Sequence, residues 1–472
     1  LEGGGPLVFS SLTFLYLFLP INLVLYFSTR NAKVRNGILI LFSLAFYAYG
    51  EPVWVTLLIF SATIDYWHGR IIERYRGRIQ SKLALVSSLV INLSLLGFFK
   101  YWHFITENLY TISGIALPTH HYALPIGISF YTFQTLSYTI DVYRNEVGAQ
   151  RSYLKFLLFV SLFHQLVAGP IVRYKDIAAE IEHRETTLPK FSYGVNRFAL
   201  GLAKKVLLAN TAGAVASQVL DFKQTSPSVA GAWFGIVMFA FQIYFDFSGY
   251  SDMAIGLGRM FGFTYKENFN YPYMAASATE FWRRWHISLG SFFRDYVYIP
   301  LGGNRRLQLR NLFIVWFLTG LWHGASWNFI VWGLFYGALI YIEKMIGNVR
   351  LAKVPMWVRH SYLLVAMLIG WVFFYYESLS EALFVIGTMF GLQGMPLVQT
   401  EIVLLFRQYW IFCCLAILSC TPIFKHGYLR LKALLKAQLG DWLDALMVGA
   451  TLWLATAFLV GSSYNPFLYF RF

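Results

Sequence analysis

Long apolar runs separated by short polar and basic patches set the pattern of this chain. A helix needs about 20 mostly apolar residues to cross a bilayer. Residues 7–27 form such a run, and a basic turn follows at Arg30, Lys33 and Arg35. Residues 38–49 and 53–64 predict two spans joined at Glu51-Pro52, each extended by a few residues. A second basic patch follows, with Arg70, Arg74, Arg76, Arg78 and Lys82. Basic residues collect on the cytoplasmic side of membrane proteins. Both patches are therefore placed inside, and the hairpin between them runs out and back. Further spans are predicted at residues 83–99 and 126–140, with an outer loop at 118–125 that carries His120 and His121.

The pattern then loses regularity. Residues 153–171 are apolar but broken by His164, Gln165 and Gly169-Pro170, and the segment after them is basic again. A full crossing would put that segment outside. The stretch is read as re-entrant or irregular helix, which membrane depth tolerates only where protein or water covers it. Residues 173–205, with Arg173, Lys175, Lys190, Arg197, Lys204 and Lys205, read as cytoplasmic and interfacial helices, and the Lys204-Lys205 pair as a solvated or headgroup-facing patch. Residues 229–247 predict a clear span. Residues 248–310 are aromatic, polar and rich in Arg, with no clean span. Residues 312–322 and 327–342 are apolar around a polar centre at His323-Gly324, and the tail adds spans at 361–376, 402–420 and 443–461. The fold class is all-α: a polytopic membrane protein of about ten or eleven spans with re-entrant and interfacial helices. No internal repeat is visible, so an inverted-repeat transporter is not supported. Residues 1–6 read as a tag remnant, and no cleavable signal peptide is expected. Residues 7–472 read as one membrane-embedded domain, densest in motifs between 124 and 345.

Composition agrees. Hydrophobic residues make up 57% and charged residues 13%, whereas soluble domains carry about 25% charged residues. A soluble enzyme, a disordered chain and a collagen-like fibre are excluded. The net charge of +15 would suggest nucleic acid in a soluble protein. Here the basic residues sit between apolar runs, and Tyr and Trp fit interfacial belts, so no nucleic-acid partner is expected. Cys413, Cys414 and Cys420 share one apolar stretch and form neither a disulfide framework nor a zinc pattern. No HExxH, CxxC or Walker loop occurs, and no metal is expected.

Ionisable groups at membrane depth cost about 2.5–3.5 kcal/mol on insertion scales, which makes them functional candidates. His323 lies in Trp316-Phe-Leu-Thr-Gly-Leu-Trp-His-Gly-Ala-Ser-Trp-Asn328, with Thr319, Ser326 and Asn328 as possible hydrogen-bonding neighbours. Neutral imidazole is the cheapest ionisable group to hold in an apolar site and can act as a base. A buried histidine bonded to a carbonyl is the plainer reading. A second cluster, Glu280-Phe-Trp-Arg-Arg-Trp-His286, carries Arg283, Arg284 and His286. It reads either as interfacial anchors or as an anion-binding mouth, since guanidinium forks suit phosphate oxygens. A third, Tyr244-Phe-Asp-Phe-Ser-Gly-Tyr-Ser-Asp252, holds Asp246 and Asp252, which either form structural ion pairs or orient a reacting group.

These runs, taken together, resemble the membrane-bound O-acyltransferase family, in particular its bacterial polysaccharide-modifying branch. The matching segments are Val8-Phe-Ser-Ser11, Leu124-Pro-Ile-Gly-Ile-Ser-Phe-Tyr-Thr-Phe-Gln134, Val167-Ala-Gly-Pro170 and residues 244–262. They continue with Asn268-Phe-Asn-Tyr-Pro-Tyr273, Phe281-Trp-Arg-Arg-Trp-His286, residues 294–303, Leu321-Trp-His-Gly324, Asn465-Pro-Phe467 and Tyr469-Phe-Arg-Phe472. The family pattern has Pro where His164 stands. The resemblance implies a ring of helices around a thinned, funnel-shaped centre in the bacterial inner membrane. It implies that His323 is catalytic and that His286 matches a second family histidine. It further implies transfer of an acetyl group from cytoplasmic acetyl-CoA to a hydroxyl of an extracytoplasmic SGNH-hydrolase-like partner, for O-acetylation of alginate or a cell-wall glycan. On that basis His323 is expected to be the general base and His286 an orienting or polarising group. Asn268 and Asp246 are expected to orient, and Arg283 and Arg284 to hold coenzyme A. D-alanyl transfer from a carrier protein, a transporter and a non-catalytic scaffold are the competing readings. The partner is expected near the outer loop at 117–125, and lipid surrounds the chain.

Overall fold

The structure, a computed structural model, describes residues 7–118, 123–222, 225–435, 437–461 and Asn465. His120, His121 and the closing motif beyond Asn465 lie outside the described residues. Every regular element among the described residues is a helix. Seven helical stretches are long and apolar enough to cross a membrane: Ile79–Ser113, Leu188–Leu220, Val229–Met260, Trp327–Ile346, Met356–Tyr375, Thr400–Ser419 and Gln438–Gly461. Phe14–Phe27 and Leu379–Met389 are shorter apolar helices. Ala32–Gly50 and Val55–Arg74 also have spanning length, with 19 and 20 residues, but carry more polar side chains.

The chain divides into two compact units, Leu1–Phe198 with Tyr250–Lys266, and Ala199–Gly249 with Glu267–Phe472. In the first unit, Phe9, Phe14, Phe46 and Phe163 form an aromatic cluster. Beside it, three helices (Val55–Arg74, Ile79–Leu96 and Ile128–Tyr143) meet around fully buried Asp65. Ser88 Oγ donates to Asp65 Oδ1 at 2.7 Å and Asn92 Nδ2 to Oδ2 at 2.7 Å, while His68 Nδ1 lies 3.2 Å from Oδ1. Lipid gives helices no hydrophobic reason to associate, so such bonds and close small-residue contacts hold them. Gly194 and Gly256 provide a close contact of that kind: a Cβ on either would come within 2.7 Å of the facing backbone.

The broken segment behaves as its sequence predicts. Helix Tyr153–Ser161 stops at Leu162, a short turn Phe163–Leu166 follows, and residues 156–174 are all buried. Irregular backbone is covered by protein on every side.

Two expectations require correction. Residues 188–205 are not only interfacial: Leu188–Leu220 is a continuous helical stretch of 33 residues. Lys205 on it is not solvated. It is 3% exposed, and its Nζ lies 2.7 Å from Asp246 Oδ1. The region after residue 247 is likewise not wholly irregular, because helix Val229–Met260 runs 32 residues. The cause is the same in both cases. Charges that break an apolar run in the sequence are neutralised by one another in the fold: Lys205 by Asp246 in the second unit, and Asp252 by Arg197 at 2.6 Å in the first.

In the second unit, Gln308–His323 and Trp327–Ile346 form a tight helical hairpin. Gly320 and Gly333 make this possible. A Cβ on Gly333 would collide with the Trp316 carbonyl, and one on Gly320 with the Phe329 carbonyl. Around the hairpin, Trp282, Trp316, Trp332, Tyr336, Trp371 and Phe374 pack ring against ring. Because the obstacles at Gly333 are backbone atoms, Gly333→Ala should destabilise the purified protein by about 1–3 kcal/mol. Gly427→Ala, where a Cβ meets nothing within 4 Å, should be neutral or stabilise by up to about 1 kcal/mol. Melting temperatures of the two variants in detergent check this.

Candidate functional site

His286 and His323 both lie in the second unit, reached by different routes. The route to His286 begins at Ser277, whose side chain caps helix Ala278–Arg284 by accepting from Glu280 N at 3.0 Å. Glu280 Oε2 reaches back to Ala276 N at 3.0 Å, an arrangement close to a reciprocal capping box. Buried Glu343 accepts from Ala278 N, from Thr279 N at 2.9 Å and from Thr279 Oγ1 at 2.7 Å. A carboxylate is favoured at a helix N-terminus, where orphan N–H groups and the helix dipole meet. The helix then ends and the chain turns at His286, whose φ of 44° is rare for a side-chain-bearing residue. Such a conformation costs about 1–3 kcal/mol and persists only where the surroundings impose it.

Asn268 imposes it. Its Oδ1 accepts from Ser288 N at 3.2 Å and Ser288 Oγ at 2.8 Å, and its backbone carbonyl accepts from Ile287 N at 3.0 Å. His286 Nδ1 lies 3.1 Å from the same Oδ1. A carbonyl oxygen can only accept, so this contact places the imidazole proton on Nδ1 and makes Nε2 the basic nitrogen. Phe247 meets the ring edge-on at 4.6 Å, and Trp322 lies 5.7 Å away. His286 sits outside the membrane-crossing helices and is 1% exposed. Burial pushes its pKa down to about 3, so the ring is neutral at neutral pH.

His323 is the last residue of Gln308–His323, and the chain leaves that helix through extended Gly324. Its ring is enclosed by Trp322 at 4.9 Å, Trp332 at 4.9 Å and Phe374 at 5.2 Å. A Cβ on Gly324 would strike the Phe329 ring, so glycine is required here by contact. Trp322 touches both imidazoles, which brings His286 and His323 into one aromatic cluster. Of the polar neighbours expected for His323, Thr319 donates to its own helix at Val315 O, 2.7 Å, and Asn328 Nδ2 to Tyr376 O, 2.5 Å. Ser326 Oγ and Asn328 Oδ1, in the turn after His323, have no protein partner.

The other sequence candidates separate. Asp246 forms a buried ion pair with Lys205, the structural alternative for that residue, and the next side chain, Phe247, packs on His286. Arg284 is held by Glu280 at 2.6 Å and by Asn270 O at 3.4 Å. Arg283 is exposed. Glu343 was missed by the sequence reading. It stands just past the apolar run at 327–342 and beside Lys344, where it reads as an ordinary helix-end charge. No group of three His, Cys, Asp or Glu among the described residues is placed to hold a metal ion.

Comparison with known proteins gives a consistent result. The sequence profile of the membrane-bound O-acyltransferase family matches residues 53–385. A probable alginate O-acetylase of Azotobacter vinelandii is 42% identical over 393 residues, 82% of this chain and 78% of that protein. A probable alginate O-acetylase of Pseudomonas putida is 38% identical over 499 aligned residues, covering 99% of this chain and 100% of that protein. A peptidoglycan O-acetyltransferase of Helicobacter pylori is 33% identical over 522 aligned residues, 99% of this chain and 98% of that protein.

The burial of His286 makes stability depend on pH. Its pKa falls from 6.5 to about 3 on folding, so the unfolded chain binds the proton more readily. The stability this group contributes is fully present above pH 6.5 and is lost as pH falls toward 3. The melting temperature of wild type should therefore drop more between pH 7 and pH 5 than that of His286→Gln.

Proposed function

The chain belongs to the membrane-bound O-acyltransferase family and is an O-acyltransferase of the membrane, and from that premise we propose that it moves acetyl groups from cytoplasmic acetyl-CoA to a hydroxyl presented on the outer face. The relatives that act on alginate and on peptidoglycan support a polysaccharide as the final acceptor, reached through an extracytoplasmic SGNH-hydrolase-like partner. The observation that carries the reading is the pair of buried histidines in contact with one tryptophan, each held where regular helix ends.

In the proposed mechanism His323 is the general base. It takes the proton of the acceptor hydroxyl as that oxygen attacks the acetyl carbonyl. The carbon–sulfur bond then breaks, and the imidazolium returns the proton to the departing thiolate of coenzyme A. Bonds and protons balance without a further reactant. The aromatic walls around His323 keep water from competing for the acetyl group. His286, its tautomer fixed by Asn268, is assigned to the acceptor hydroxyl or the thioester carbonyl as an orienting group. Arg283, as the exposed guanidinium, is assigned to the coenzyme A phosphates. Arg284, partly exposed and paired with Glu280, is assigned beside it.

General-base catalysis contributes about 10²–10⁴-fold. His323→Ala should therefore slow coenzyme A release from acetyl-labelled coenzyme A by at least about 100-fold, measured with purified protein in nanodiscs together with its acceptor partner. A variant as active as wild type removes His323 from the mechanism. A D-alanyl thioester on a carrier protein, run in parallel, decides the acyl group: faster turnover of that donor overturns the acetyl assignment.

A further inference from the structure

The first unit holds a second group of buried polar side chains that the acyl-transfer mechanism does not use. Six residues define it: Tyr47, Tyr131, Gln134, Ser161, His164 and Gln165. Each is 3% exposed or less. The Tyr47, Tyr131 and Ser161 hydroxyls, both ends of the Gln134 amide, His164 Nε2 and Gln165 Oε1 have no protein partner. The other polar ends are spoken for: His164 Nδ1 meets the Tyr265 hydroxyl at 2.5 Å, and Gln165 Nε2 donates to Phe159 O.

The six converge. Ser43, one turn before Tyr47 on Ala32–Gly50, accepts from Phe163 N at 3.1 Å. That contact joins this helix face to the broken segment at 161–166. Tyr131 interacts electrostatically with Tyr47 and Glu51. Gly127, at the start of Ile128–Tyr143, comes so close to the Leu166 carbonyl that a Cβ would sit 2.5 Å from it. Gln134 lies one turn beyond Tyr131 on the same helix face. Buried polar atoms in folded proteins are almost always paired, because leaving them bare is costly. Seven unpaired atoms within one region therefore point to a polar occupant.

The chemistry of that occupant can be read from the groups. All are uncharged hydroxyls, amides and an imidazole, and donors and acceptors are mixed. The nearest charges are of opposite sign, Arg184 on the His164 side and Glu51 on the Tyr131 side, so the group as a whole favours neither a cation nor an anion. The direction of entry follows from charge. Arg30 just before Ala32–Gly50 and Lys33 and Arg35 in its first turn mark the inner end of that helix and put its far end outside. Tyr47 is one turn from that outer end, and Tyr131 is one turn into Ile128–Tyr143. At 1.5 Å per residue, Gln134 lies about 9 Å below the start of its helix. We propose that Tyr47, Tyr131, Gln134, Ser161, His164 and Gln165 line a buried site, open to the outer face, that binds a neutral hydroxyl-bearing ligand. The inference stands on this packing and on the charge-set topology, independently of the acyl-transfer reading.

The test uses the full chain with Cys413, Cys414 and Cys420 replaced by serine, carrying Ser161→Cys or Gln165→Cys in right-side-out and inside-out vesicles. A membrane-impermeant maleimide should label both positions from the outer face, and glycerol should slow labelling several-fold where equal acetate does not. Absence of labelling, labelling from the inner face alone, or a rate that glycerol leaves unchanged overturns the proposal. Gln134→Leu supplies an independent check through folding. A dry, unoccupied core would gain from losing an unpaired amide, so a raised melting temperature overturns the site, and an unchanged or lowered one is expected.

Discussion

A bilayer offers no water to a polar group, so each one at membrane depth must find its partner inside the protein. That constraint shapes both units of this chain. Asp65 takes donors from Ser88 and Asn92 on the next helix, and so joins helices that lipid alone would leave apart. Lys205 and Asp246 neutralise one another where either alone would be prohibitive. Glu343, in the last turn of Trp327–Ile346, satisfies the first N–H groups of Ala278–Arg284. Losing one partner of any of these sets leaves a charge or an N–H group buried without compensation.

The same constraint positions the site. The second unit departs from regular helix at residues 285–287 and at Gly324, and a histidine stands at each departure. Short helices need caps, and caps need polar side chains. Ser277, Glu280 and Glu343 supply them at one end, and Asn268 ties down the other. The left-handed conformation of His286 is the result of that tying. It turns a side chain that a continuing helix would carry elsewhere toward Phe247 and Trp322.

Much of this was legible in the sequence. The apolar runs marked most of the helices, the break at 153–171 announced irregular backbone, and the polar centre at His323-Gly324 marked the turn between two helices. The errors share one cause. Periodicity and charge are read along the chain, whereas compensation occurs across it. Lys204-Lys205 looked like a solvated patch because nothing local reveals Asp246, 41 positions on. Helix Val229–Met260 seemed to end early because Asp252 reads as a stop until Arg197 is seen beside it. Arg283 and Arg284 looked equivalent in sequence. In the fold Arg284 pairs with Glu280 and Arg283 is exposed.

The two histidines stand in different surroundings, and the proposed division of labour draws on that contrast. His286 is fixed at Nδ1 by an amide oxygen that is itself fixed by two donors from Ser288. Such a ring keeps its orientation and tautomer through a reaction cycle, which suits a group that positions a substrate. His323 is enclosed by the rings of Trp322, Trp332 and Phe374 at the C-terminal end of a helix. A base must accept a proton and return it within one turnover, so its nitrogen has to be available to two partners in succession. In the proposed mechanism the aromatic enclosure would exclude water from that exchange, and His286 would supply the geometry.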